Sequence, residues 1–137
     1  MLGDKIGELS GKVIGTRVLP GDDYRYIKME ITVQQTGKVF GVDATDIGTY
    51  TIFERVPGNI YGEGRGMLST NDGEGAIWNG HGVAKPTGQG MAMSVRFSIA
   101  FQAGATGKLS RLKDVLVLGE HEVDGDGNTK TTMWEWK

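Results

Sequence analysis

The chain has no cysteine, which excludes disulfides, thiolate metal sites and cysteine nucleophiles and suits a reducing compartment. Long apolar runs are missing too. Nothing approaches the roughly 20 residues that span a bilayer, and Met1 to Gly15 holds no signal-type apolar core, so a cytoplasmic protein without membrane contact is expected. Charge of one sign is also lacking: 15 Lys and Arg stand against 17 Asp and Glu, scattered without blocks. With no basic stripe to neutralise phosphates, nucleic acid is not an expected partner. Proline numbers only three and there is no G-X-Y period, which argues against collagen and disordered linkers. A chain of 137 residues fits one domain, taken as 1–137, that buries roughly two-thirds of its unfolded surface and needs no covalent staples.

Glycine is abundant instead, with 23 residues. Many fall in turn-forming clusters: Pro20-Gly21-Asp22, Thr36-Gly37, Pro57-Gly58-Asn59, Asn71-Asp72-Gly73, Pro86-Thr87-Gly88, Gly104-Ala105-Thr106-Gly107 and Asp124-Gly125-Asp126-Gly127-Asn128. Between the clusters lie runs that alternate with period two, the mark of a strand with two different faces. From Met91 to Gln102, Met91, Met93, Val95, Phe97, Ile99 and Phe101 alternate with small or polar residues. Arg25 to Gln35 repeats the pattern through Ile27, Met29, Ile31 and Val33. Further strands are predicted at Lys12–Leu19, Lys38–Asp43, Ile47–Val56, Ile60–Thr70, Gly75–Lys85, Val115–Val123 and Thr129–Trp136, with one short helical turn within Leu109–Leu116.

Long hairpin-linked strands leave exposed edges in an open sheet, and closure removes them. Glycines inside strands, at Gly62, Gly64, Gly66, Gly80, Gly82 and Gly119, permit the coiling that closure demands. The expected fold is therefore all-β, a closed antiparallel barrel of about eight strands, with a β-sandwich as the alternative. If Asn71–Glu74 form the first turn, Thr70 pairs with Gly75 and Met67 lies opposite Trp78. A two-residue Thr87-Gly88 turn then sets Trp78 against Phe97. One face collects Tyr61, Glu63, Arg65, Met67, Trp78, Met91, Met93, Val95, Phe97 and Ile99, the expected lumen. A slip of one residue in either turn would swap the faces.

The run Gly62-Glu63-Gly64-Arg65-Gly66, then Asn71-Asp72-Gly73-Glu74-Gly75-Ala76-Ile77-Trp78-Asn79-Gly80-His81-Gly82, an alternating strand and Gly104-Ala105-Thr106-Gly107-Lys108-Leu109 resembles the bacterial barrels related to allene oxide cyclase and dirigent proteins. The likeness covers residues 46 to 123 and rests on glycine pattern and strand order. It implies an eight-stranded barrel with a central cavity, assembled as a homo-oligomer. Many such bacterial proteins have no assigned activity; the cyclase branch holds a reactive hydrophobic substrate in one conformation without a cofactor.

Candidate chemistry is sparse. Glu63 and Arg65 share a strand face, as a cavity ion pair that orients a ligand or as an ordinary surface pair. His81 fits a surface strand position better than a proton carrier. Asp124, Asp126, Asn128 and Glu135 mimic a calcium loop, but Thr129 stands where glycine is required, so a hairpin turn is expected. Gly104–Lys108 lacks the first glycine and the Ser or Thr of a phosphate loop, and His121-Glu122 lacks the second histidine of a zinc helix. No metal site and no cofactor follow. Trp134 and Trp136 share a face of the last strand, with Trp134 expected to cover Gly119 as core packing. Three functions fit: a barrel holding a small hydrophobic ligand among Tyr61, Glu63, Arg65, Trp78, Met93 and Phe97; a cofactor-free cyclase or isomerase with Glu63 as acid or base; and a packed barrel that only self-associates.

Overall fold

Period-two alternation is carried through eight strands in the computed structural model, which describes residues 1–21, 26–56, 58–102, 105 and 107–137. They are β1 (Leu2–Val18), β2 (Lys28–Val39), β3 (Val42–Val56), β4 (Asn59–Ser69), β5 (Gly75–Pro86), β6 (Met93–Phe101), β7 (Leu116–Val123) and β8 (Asn128–Trp136). Each pairs antiparallel with its sequence neighbours, and β8 returns to β1, so the sheet is a closed barrel and not a sandwich. No helix among the described residues is long and apolar enough to cross a membrane.

Two strand assignments differ from the sequence expectation. β1 begins at Leu2 rather than Lys12, and in the second Thr36-Gly37 is no turn but part of β2, so that the expected strand Lys38–Asp43 is divided at Phe40-Gly41 between β2 and β3. Gly37 pairs with Leu9 and Ala44, and a side chain there would run into the Glu8 backbone, so this glycine serves close strand approach. The true turn is Phe40-Gly41, where both residues take positive φ (50° and 75°), the two-residue geometry that matches strand twist. The Pro20-Gly21-Asp22 turn, the strand start at Arg25, Pro57 and the Gly104 and Thr106 positions fall wholly or partly outside the described residues.

The core has two apolar layers. One contains Leu9, Val39, Leu68, Ala76 and Phe101 together with Leu109 and Leu112, both 0 % exposed, from a 3-10 helix at Gly107–Asp114. This is the helical turn expected near Leu109. Its i, i+3 leucines stack on one face and plug the barrel end, each burial being worth roughly 2 kcal/mol. Glu74 Oε2 accepts from the Lys108 N–H at 2.7 Å, tying the helix start to the β4–β5 turn. The second layer, Ile31, Val33, Ile52, Ala84, Met93 and Val123, lies along the same interior, with Met29 and Met91 packed on it.

Candidate lumenal site

Register decides which side chains meet in the lumen. β4 and β5 pair Ser69 with Gly75, hence Gly66 with Trp78 and Glu63 with His81, one residue away from the sequence expectation. That odd slip turns Tyr61, Glu63, Arg65 and Met67 outward. The cause is local: Thr70 N–H donates to Glu74 O and Gly73 N–H to Thr70 O, with Gly73 at φ 81°, so the loop is Asn71–Gly73, one residue shorter than the expected Asn71–Glu74 turn. The hairpin at Asp124–Asn128 repeats it, with Asp124 N–H to Asn128 O, Gly127 N–H to Asp124 O and Gly127 at φ 82°. There Leu118 pairs with Trp134 and Gly119 with Met133, so Trp134 lies on the outer face and does not cover Gly119; Trp136 is exposed. Between β5 and β6 the pairing is Gly82 with Phe97, four residues from the expected partner Met93. An even slip preserves the face, and Trp78 and Phe97 both point inward.

Of the six residues expected to hold a ligand, the structure brings only Trp78 and Phe97 to the cavity wall from inside. Met93 is inward and buried in the second apolar layer but does not line the cavity. Tyr61 stacks on the outside between Phe53 and His81, ring centroids 6.2 and 6.0 Å apart, under the Arg55 guanidinium. Glu63 and Arg65 are exposed, so the inward ion pair is corrected to an outer-face placement. Glu63 and His81 border the cavity only as parts of the β4–β5 wall. His81 is thus a surface strand residue, as expected.

Both aromatic rings lie on glycine. The Trp78 indole covers Gly48, Gly64 and Gly66, and Phe97 covers Gly119, where any Cβ would collide with the ring. Strand glycines thus make the lumen wide enough for two large rings and leave a cavity of about 110 Å³.

That cavity meets a buried polar layer. Asp46, 6 % exposed, accepts a hydrogen bond from Trp78 Nε1 at 2.8 Å and a second from the Gln35 side chain. Gln35 Oε1 accepts from Thr129 Oγ1 at 3.0 Å and Thr131 Oγ1 at 2.9 Å. Thr131 has spent its only proton on Gln35, so at 2.8 Å it must accept from Nδ1–H of His121. His121 Nε2 therefore carries the lone pair, and the Tyr50 hydroxyl, 3.5 Å away, points its proton there. Burial pushes the Asp46 carboxyl up to about 6 despite these donors, drives His121 down to about 4, and raises the Tyr50 phenol. At neutral pH the layer holds one carboxylate and a neutral imidazole.

These polar residues were missed in the sequence, yet a signal exists. Each is in phase with an apolar set: Gln35 follows Ile31 and Val33, Asp46 and Tyr50 stand between Ala44 and Ile52, and His121 stands between Val117 and Val123. A polar residue on the inward phase of a strand is where a buried site begins.

No protein-family model and no curated protein sequence matches the chain. Solved structures do. A protein of unknown function from Clostridium acetobutylicum ATCC 824 superposes with a TM-score of 0.79 at 11% identity, covering 98% of each chain. A conserved protein of unknown function from Rhodopseudomonas palustris gives 0.78 at 13% identity, over 98% of this chain and 97% of that one. At such identities the likeness shows a shared eight-stranded barrel fold, and these neighbours supply no function.

Proposed function

We propose that the barrel is a binding protein for a small, largely apolar molecule about the size of one ring, held in the lumen between Trp78 and Phe97. The observation that carries this is the cavity itself: about 110 Å³, walled by aromatic and aliphatic side chains, with a few convergent polar groups from Asp46, Gln35 and Tyr50. An apolar protein cavity of about 150 Å³ holds benzene, which sets the scale of the guest. Kinship with allene oxide cyclases and dirigent proteins belongs to this proposal, supported by the barrel and the glycine-rich β4 and β5. In the isomerase version of the reading, the acid or base is Asp46 rather than Glu63, because only Asp46 is inside. Self-association is supported by the outer row Ile47, Met67 and Ile77, neighbours across β3, β4 and β5 and 42%, 46% and 49% exposed.

The test is an NMR titration with toluene and cyclopentanol, following the Trp78 indole N–H, on wild type and Gly62→Leu. Gly62 lines the cavity, and a Cβ there meets only ordinary contacts with Thr51 O at 3.5 Å and Ile52 Cγ2 at 3.6 Å, so leucine fills space without forcing the backbone. Saturable shifts in wild type that vanish in the variant support the proposal; no binding of either probe, or binding that ignores the variant, overturns it. Native mass spectrometry of protein purified from its own host reads a retained guest and the subunit count together.

A further inference from the structure

Among the described residues the lumen has one inward carboxylate, Asp46, and no cation to answer it. Asp46 receives two neutral donors, the Trp78 indole N–H and the Gln35 amide, which fill two of the roughly four acceptor positions of a carboxylate. Among the described residues no lysine or arginine lines the cavity. His121 cannot help, since its Nδ1–H goes to Thr131 and its other nitrogen is an acceptor facing Tyr50. Every arginine among the described residues is exposed on the outside of the barrel.

A desolvated carboxylate without a counter-ion is costly, and the fold keeps one 6 % exposed beside empty space. The two donors also fix its orientation, Gln35 being held in turn by Thr129 and Thr131. Around the same space stand the rings of Trp78, Phe97 and Tyr50, whose negative π-faces favour a cation. The polar layer thus has the parts of a cation site, with oriented anion, aromatic walls and an apolar remainder, and its volume admits one small ring or branched alkyl group.

Resting on the reading of the lumen as a ligand site, we infer that the natural guest is a small organic ammonium ion: a protonated amine on an apolar body, its N–H groups on the Asp46 carboxylate and its carbon skeleton against Trp78 and Phe97. A neutral molecule of the same shape leaves the carboxylate uncompensated. An anion adds a second negative charge beside it.

Cyclopentylamine, cyclopentanol and cyclobutanecarboxylate, matched in shape and differing in charge, are the probes, titrated by NMR or calorimetry at pH 7.5 with toluene as the purely apolar reference. The amine is protonated there. It is expected to bind at least about tenfold more tightly than the alcohol, as charge-assisted hydrogen bonds do, with the carboxylate not binding. Asp46→Asn, nearly isosteric, is expected to bring amine and alcohol to within about twofold of each other while toluene binding persists, which shows that the lumen is intact. Glu63→Gln, on the outer face, leaves the preference unchanged. Equal binding of amine and alcohol in wild type, or an amine preference that survives Asp46→Asn, overturns the inference. Toluene binding without amine binding overturns the inference alone and leaves the lumenal reading standing; failure of all four probes removes both.

Discussion

An acid and a histidine stand on each side of the barrel wall. Inside are Asp46 and His121, 6 % and 7 % exposed; outside are Glu63 and His81, a cross-strand pair on β4 and β5 in contact with solvent. The residue types match, and the chemistry does not. Inside, each polar group is held by named partners, and burial moves both titrations by more than a pH unit. Outside, water screens the charges and supplies the hydrogen bonds, so geometry there constrains little. The difference teaches that the side of the wall, set by one residue of register, separates a candidate site from ordinary surface.

The comparison breaks most forcefully at Trp78. Its ring fills the groove left by Gly48, Gly64 and Gly66 and its N–H holds Asp46, so Trp78→Ala removes both a large buried volume and a donor to a buried carboxylate. A loss of about 4 kcal/mol is expected from chemical denaturation. Tyr61→Ala, on the outer stack, is expected to lose about 1 kcal/mol. Equal losses would mean that the two faces do not differ as described.

The pH dependence of stability sharpens the contrast. Asp46 titrates near 6 in the fold and near 3.8 when unfolded, so its contribution is complete below pH 3.8 and is lost as pH rises to 6. His121 titrates near 4 in the fold against 6.5 unfolded, so its contribution is complete above 6.5 and is lost as pH falls to 4. Each is on the order of 3 kcal/mol at about 1.4 kcal/mol per pH unit. The two slopes oppose each other over nearly one window, and from these groups the wild type should be almost flat there. Asp46→Asn is expected to unmask stability that climbs from pH 4 to 6.5, and His121→Gln stability that falls from pH 4 to 6. Urea midpoints at half-unit pH intervals read both; parallel profiles for the variants and the wild type would count against the burial argument.

The fold was legible because it rests on period two and on strand glycines, and both are visible in the sequence. Met93, Val95, Phe97, Ile99 and Phe101 had to share a face whatever the turns did, and the even slip between β5 and β6 left that face unchanged. The site was only half legible because side is a matter of parity. Thr70–Glu74 and Asp124–Asn128 each close over three residues, an odd number where turns of four and two were expected, with Gly73 and Gly127 in the fourth place. A glycine there, permitting positive φ, is the sequence mark of that geometry. Missing it placed Tyr61, Glu63 and Arg65 inside and put Trp134 over Gly119. The polar layer was hidden for another reason: its partners come from β2, β3, β7 and β8, and no local pattern joins Gln35 to Thr131 or Tyr50 to His121.

A smaller effect isolates that long-range wiring. Thr131 donates to Gln35 and accepts from His121, so Thr131→Val leaves the buried His121 Nδ1–H without a partner and takes one of two donors from Gln35 Oε1, which keeps Thr129, at nearly constant volume. About 2 kcal/mol should be lost. In a His121→Leu background the same change is expected to cost about half as much or less, because the donor it would orphan is already gone and Gln35 keeps Thr129. Full additivity in this double-mutant cycle would separate Thr131 from His121.

The smallest expected effect belongs to the outer pair. Glu63→Gln and His81→Gln keep size and alter charge at positions open to water, where a charge gains little from its neighbours and salt screens what remains. Stability should move by less than about 0.5 kcal/mol for either change. If Glu63→Gln instead produced a change as large as Asp46→Asn, the carboxylate would have to lie out of water, and the outward placement of β4's odd-numbered residues would fail with it. Both substitutions therefore test register without touching the lumen, since a wall shifted by one residue would exchange the behaviour of Glu63 for that of a buried acid.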